Sequence, residues 1–263
     1  MAVDSHGADG AKCESAWRAL RRSLLVLAGV GGTIPALAGP PLETDDPDTP
    51  EDGHWEINLA ATLEKRGDLR ELTPLLDINY GYGARIQFKI KPRFVVLDSS
   101  GNSTRTGAGN IQLGVKWRFL DEDANGIAMS IYPQADLNPP GRSVERGLVS
   151  EGSEWFLPLE LARTLGRTRL YGEIGFNWRE HRDDEWVFGL AAEHPLSDDF
   201  HIVAELRDIA QSSFKDHELA VRAGFKWTAQ ENWTLLVSLG QTLRELRGEE
   251  RGVFSYLGVQ HTF

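Results

Sequence analysis

Charged side chains recur at every second position along several stretches of this chain, a spacing that collects them on one face of an extended strand. Arg85, Lys89, Lys91 and Arg93 share one parity, and Lys116 and Arg118 repeat it in a later stretch. Glu56, Asp77, Asp136 and Glu160 hold the corresponding polar positions of other stretches, and Glu173, Glu193, Glu205 and Glu218 continue the acidic series. If these faces line a common interior, the available chemistry is electrostatic. Opposed charges across a water-filled bore set up a transverse field that screens small polar solutes. Alternatively, the opposite charges pair and fill a narrow bore. Both outcomes are open at this point.

Bond-making chemistry has weaker support. His194, His201, His217 and His261 are the imidazoles to weigh, because outer-membrane phospholipases place a serine and a histidine on a lipid-facing wall. None is followed by the Ser-Asn-Gly pattern of those enzymes. His201 and His217 fall on the polar face or in a loop, where a solvated imidazole is the simpler reading, and His54 beside Trp55 reads as an interfacial pair. Asp45, Asp46, Asp48, Glu51 and Asp52 offer oxygen ligands, but no glycine sits at the turn position of a calcium loop. No catalytic residue, cofactor site or metal site is expected, and the chain does not read as an enzyme. A lipid-modifying barrel and a structural or adhesive barrel remain the alternatives.

The elements that must position these charges follow from the residues between them. From residue 54 the apolar positions recur with period two, in twelve runs about as long as a tilted strand needs to cross a bilayer. The first run places Trp55, Ile57, Leu59 and Ala61 on one face; the fourth places Ile111, Leu113, Val115, Trp117 and Phe119 there. The last carries Val253, Leu257, Val259 and Phe263. An even count suits a single-chain bacterial barrel. The predicted fold is all-β: a 12-stranded antiparallel transmembrane outer-membrane β-barrel over residues 54–263.

Two further patterns agree with that fold. Short turns at 81–84, 120–125, 163–167, 195–198 and 228–230 alternate with long polar connections at 97–107, 139–152 and 242–251, although 64–70 and 179–184 are barely longer than the turns. The seven tryptophans after residue 38 all share the apolar face near run ends, as amphipathic rings at a membrane interface do. Trp55, Trp117, Trp227 and Trp233 fall on the expected periplasmic rim with Phe263, and Trp155, Trp178 and Trp186 on the outer rim. Pro74, Pro92, Pro133 and Pro158 lie inside runs and cannot donate to a ladder, so bulges or breaks are expected there.

Residues 1–38 read as a signal peptide, with Arg18, Arg21 and Arg22 ahead of an apolar stretch and Ala36-Leu37-Ala38 as the cleavage pattern. The single cysteine, Cys13, precedes that stretch, so the exported chain would carry no disulfide or thiolate site. Residues 39–53, rich in Pro and Asp, are expected as an acidic, extended periplasmic lead-in. Removing residues 1–38 takes away four basic and three acidic residues, so the net charge passes from −11 to −12. That surplus repels phosphate backbones and argues against a nucleic-acid partner.

The stretch ETDDPDTPEDGHWEINLA at 43–60 resembles the outer-membrane proteins grouped as the MetA-pathway of phenol degradation family. The likeness continues through PLLDINYGYGARIQFKI, GNIQLGVKWRFLDED, YPQADLNPP and EWFLPLELA, over most of residues 43–263. It implies passive movement of small molecules, aromatic or hydrophobic compounds among them, across the outer membrane of a Gram-negative bacterium, with no catalytic residues to carry over. The closing GVFSYLGVQHTF resembles the last strand of such barrels, except that His261 stands at a lipid-facing position. The partners this predicts are outer-membrane lipid and lipopolysaccharide, the barrel-assembly machinery through the C-terminal strand, and a small-molecule solute, with the chain acting as a monomer.

Overall fold

In hydrocarbon every backbone N–H and C=O must find a partner within the protein, so a sheet can span a membrane only if it closes on itself. A computed structural model of the chain describes residues 39–263, and there the sheet closes. The expected signal peptide, with Cys13 and the cleavage pattern, lies outside the described residues.

The elements are β1 (Trp55–Arg66), β2 (Leu69–Tyr82), β3 (Ile86–Ser99), β4 (Arg105–Leu120), the one-turn helix α1 (Glu122–Asn125), β5 (Ala128–Ile131), β6 (Gln134–Leu137), β7 (Glu154–Leu165) and β8 (Thr168–Arg179), then β9 (Glu185–Pro195), β10 (Phe200–Gln211), β11 (His217–Gln230), β12 (Trp233–Arg244) and β13 (Gly252–Thr262). Neighbours pair antiparallel, and β1 pairs with β13 from Glu56 opposite Thr262 to Arg66 opposite Gly252. Trp55 N donates to Phe263 O at 2.8 Å and Phe263 N to Trp55 O at 3.0 Å, sealing the last step of the cylinder.

Thirteen strand segments make twelve staves, because β5 and β6 are halves of one stave that both pair with β4 and β7. The break falls at Tyr132-Pro133, and Pro158 of β7 faces it from the next stave. Tyr132 N donates to Pro158 O and Val115 N to Pro133 O, each at 3.1 Å, so the Tyr132 amide and the Pro133 carbonyl stay satisfied at the break. The β3–β4 register shifts between Pro92 and Phe94, whereas β2 keeps one register with β3 on both sides of Pro74 and β7 keeps one with β8 through Pro158. The wall is thus disturbed at Pro92 and Pro133, while Pro74 and Pro158, where the sequence also predicts disturbances, are carried in unshifted ladders.

The two faces are opposite to those of a soluble barrel. Leu59, Leu113, Val115, Leu190, Leu239 and Leu257 are exposed on the outer surface, while Asn58, Lys116, Ser130, Glu160 and Ser238 are buried inside. Trp55, Trp117, Trp227, Trp233 and Phe263 ring the turn end of the barrel outside, and Trp155 and Trp178 ring the loop end. Trp186 joins that second ring half-buried, its indole 4.9 Å from the Phe176 ring and stacked on Phe214 at 6.4 Å. His261, the exception in the closing pattern, stacks between Trp233 at 4.2 Å and Phe263 at 5.1 Å and so serves as a third ring of the belt.

Strands reach further into the loops than the sequence suggests. The connection expected over 97–107 shrinks to 100–104, and 64–70 to a two-residue turn at 67–68. The longest connection, 138–153, folds back over the mouth, where Leu148 is buried against the inward-facing Val95 and Leu97.

The expected periplasmic lead-in is corrected. Residues 39–53 do not extend away from the barrel: most of this segment runs inside it, with Leu42, Thr44, Asp46 and Thr49 all buried. Its acidic groups find cations there that no free linker would offer.

Candidate functional site in the barrel lumen

The segment inside the barrel has no regular structure, so its backbone groups must be satisfied by the wall. Glu43 N and Thr44 N both donate to the Glu205 carboxylate, at 3.1 and 2.8 Å. Ser238 Oγ donates to Pro41 O at 2.6 Å, and Lys116 Nζ donates to Asp46 O. Leu42 packs into a small interior cluster with Ala128, Ala162, Tyr171, Ala191 and Val203.

Two glycines make room for it. A Cβ on Gly189 would fall 2.4 Å from Thr44 Oγ1, and one on Gly81 would fall 2.1 Å from the Glu51 carbonyl oxygen. The wall is thus shaped for close approach of the threaded segment, of the Thr44 side chain at Gly189 and of the Pro50–Glu51 backbone at Gly81.

The charged positions named from the sequence are brought together, as pairs instead of segregated walls. Lys89 Nζ lies 3.2 Å from Asp77, Arg93 2.6 Å from Asp136, and Lys116 3.2 Å from both Glu160 and Asp45. Lys116 also sits 4.7 Å over the Tyr132 ring. Arg118 forms an ion pair with Asp121 at 3.0 Å and approaches Asp48 at 3.5 Å. Glu56, buried, accepts from Asn58 Nδ2 at 3.1 Å. Arg85 departs from the expectation: it precedes β3, is half-exposed at the turn end, and pairs with Asp121 at 2.5 Å. A residue in a turn does not obey the strand's alternation, so its parity says nothing about its direction.

Other lumen cations escape the sequence reading, although parity marks them. Arg169 contacts Asp48 at 2.8 Å, Glu122 at 3.0 Å and Asp46 at 3.4 Å; Arg207 pairs with Glu173; Arg222 pairs with Glu205 at 2.7 Å; and Lys226 pairs with Glu193 at 2.8 Å. Each stands an even number of residues from an inward carboxylate or cation on its own strand. The acidic series Glu173, Glu193 and Glu205 is therefore the other half of a network that binds the wall to itself and to the segment inside.

The charge state of that segment follows from its surroundings. The Arg222 guanidinium beside Glu43 holds its carboxyl down at about 2, against the effect of burial. Burial pushes Asp46 up to about 7, helped by the neighbouring Asp48 and opposed by Arg169 and Lys116. Its Oδ2 accepts no hydrogen bond among the described residues.

What space remains is small and polar. A chamber of 130 Å³ lies between the segment and the inner faces of β2, β3, β6, β7 and β10, lined by Asp77, Lys89, Lys91, Arg93, Phe156 and Arg207 among others. The histidines are occupied elsewhere: His201 Nδ1 lies 2.6 Å from Glu193, His217 Nδ1 2.7 Å from Asp208, and His194 Nδ1 2.9 Å from the Thr168 hydroxyl. Among the described residues no histidine bonds to a serine hydroxyl, and no group of three or more His, Cys, Asp or Glu side chains is placed to hold a metal.

No family model matches the sequence, and no curated protein does. Solved structures do match in fold. The COG4313 outer membrane channel from Pseudomonas putida F1 superposes with a TM-score of 0.68 at 13% identity, over 84% of this chain and 100% of that one. The NanC porin gives 0.58 at 9% identity over 78% and 98%, and the KdgM porin 0.56 at 10% over 78% and 99%. At these identities the likeness is one of fold: this chain is a closed 12-stranded antiparallel barrel of the outer-membrane kind.

Proposed function

We propose that this barrel is an outer-membrane channel for passive entry of small molecules, and that its resting bore is filled by its own residues 39–53. The observation that carries the reading is the inverted pattern of the wall: an apolar exterior with aromatic rims, and a charged interior in which a non-regular segment is held chiefly by ion pairs and hydrogen bonds, with Leu42 in a small apolar cluster. Residues 41–50 meet the wall through side-chain hydrogen bonds and ion pairs, not through ladder bonds, so this stretch can shift without opening the sheet. Channels and porins of the same fold support the reading, and the family resemblance in the sequence extends it to aromatic and hydrophobic solutes and to a Gram-negative outer membrane.

A lipid-modifying enzyme is the weaker alternative, because the lipid-facing His261 is stacked between two aromatic rings and its Nδ1 lies 3.0 Å from the Asn232 backbone carbonyl, leaving it no catalytic neighbour.

Planar-bilayer conductance tests the proposal. The intact chain should give small or intermittent currents, and a chain lacking residues 41–50 should give larger, steady ones. Absence of current from both would overturn it. Growth and uptake on aromatic and aliphatic carbon sources, with and without the gene, then identifies the solute class.

A further inference from the structure

The 130 Å³ chamber contains two donors that the ion-pair network leaves over. Every carboxylate in its lining already has a cation: Asp77 has Lys89 at 3.2 Å, Asp45 has Lys116 at 3.2 Å, Glu43 has Arg222 at 3.7 Å, and Glu173 has Arg207. Arg93 is likewise taken by Asp136 at 2.6 Å. Lys91, between Lys89 and Arg93 on the inner face of β3, has no ion pair and no hydrogen bond among the described residues, and neither does the Gln134 side-chain amide. Both face the same space.

Beside them lies an aromatic ring. Phe156 of β7 is directly opposite Gln134 of β6 in the sheet and lines the chamber, its ring seated over Gly175, where a Cβ would come within 2.4 Å of it. A large apolar ring inside a charged bore is otherwise costly to wall with polar groups, and it offers a flat face to a ligand. The volume is on the scale that accepts one six-membered ring, since an apolar cavity of about 150 Å³ takes up benzene.

We infer that this chamber is a binding subsite for a small organic monocarboxylate of one-ring size: the Lys91 ammonium and the Gln134 amide take the carboxylate, and the Phe156 ring takes the hydrocarbon part. A charge-assisted bond to the ammonium is roughly twice as strong as a neutral one, so charge is the recognised feature. The carboxylates around the chamber do not oppose this, because each is held by its own cation. The inference rests on the channel reading and adds a substrate class to it.

Calorimetric titration of the detergent-solubilised full chain with benzoate, and with neutral benzamide as its near-isostere, tests the subsite. Benzoate should bind at least tenfold more tightly than benzamide. Lys91→Met should weaken benzoate at least tenfold and leave benzamide unchanged, while Lys91→Arg, which keeps the charge, retains benzoate binding. Equal affinity for the two probes in the unaltered protein, or a Lys91→Met chain that still binds benzoate normally, overturns the inference. Conductance of the same preparations separates the two readings. Current without any preference for benzoate retires the subsite and leaves the channel; benzoate bound with no current from the intact or shortened chain retires the channel and leaves the subsite.

Discussion

Lys116 Nζ lies 3.2 Å from Glu160 Oε2 where the two side chains are 1% and 0% exposed, and the same ammonium holds Asp45 of the threaded segment at 3.2 Å. One cation thus ties two staves of the wall, through β4 and β7, to the chain that fills the bore. Removing one partner of a buried pair leaves the other charge uncompensated, which is far more costly than replacing both.

Lys116→Ala should therefore lower barrel stability by about 3 to 5 kcal/mol, the range for breaking a buried ion pair. Lys116→Met combined with Glu160→Leu should recover much of that loss, because no buried charge is stranded in the wall. It should still loosen the segment, since Asp45 then lacks its cation. Denaturant midpoints of the heat-modifiable folded band measure the first effect, and protease access to residues 43–48 in the refolded barrel measures the second.

The glycines that admit the segment can be closed. Gly189→Val would drive a side chain into Thr44, whose Oγ1 lies only 2.4 Å from where a Cβ at residue 189 would stand. Valine suits a strand, so the wall should keep its fold while the segment is displaced. The expected result is a larger single-channel current with an unchanged folded band; a current equal to that of the parent would mean that the segment does not limit passage at Thr44.

Acidity should shift the segment in a definite sense. Asp46 is pushed up to about 7 when docked, so its contribution to docking is complete below its ordinary 3.8 and is lost as pH rises through 7. Glu43 works the other way: held at about 2, it contributes above its ordinary 4.5 and loses that contribution only as pH falls toward 2. Between pH 5 and pH 8 Glu43 stays charged while Asp46 ionises, next to Asp48 and Asp45 and against Arg169 and Lys116. Currents should rise from pH 5 to pH 8, and Asp46→Asn should flatten that rise.

Much of this architecture was legible because a membrane barrel writes its faces directly into residue parity. Leu113, Trp117 and Leu257 are outward and Lys116, Asp77 and Glu160 inward, as alternation required, and the prolines marked the disturbances at Pro92 and Pro133. What alternation does not encode is the destination of a segment without it. Residues 39–53 carry no period, and only the complementary cations Lys116, Arg118, Arg169 and Arg222, spread over β4, β8 and β11, draw them inside. Arg85 was misplaced for the same reason, since a turn residue has no face. Pairing within the bore was one of the two outcomes the charges allowed, but its partners were hidden, because it joins residues such as Arg66 and Glu218, 152 positions apart.

The assignment of faces carries its own test at one pair of adjacent residues. Leu113 is exposed on the outer surface of β4, opposite Ile90 on one side and Ala135 on the other, whereas Gln112 is buried and donates to Asp136 at 2.9 Å. Arginine on the lipid face near the bilayer midplane costs about 2 to 4 kcal/mol, so Leu113→Arg should lower folding free energy by that amount. Gln112→Arg places the same group one residue away, facing a carboxylate in a polar bore, and should cost much less. Reversible folding into lipid vesicles compares the two; equal costs would mean that Leu113 does not face the bilayer.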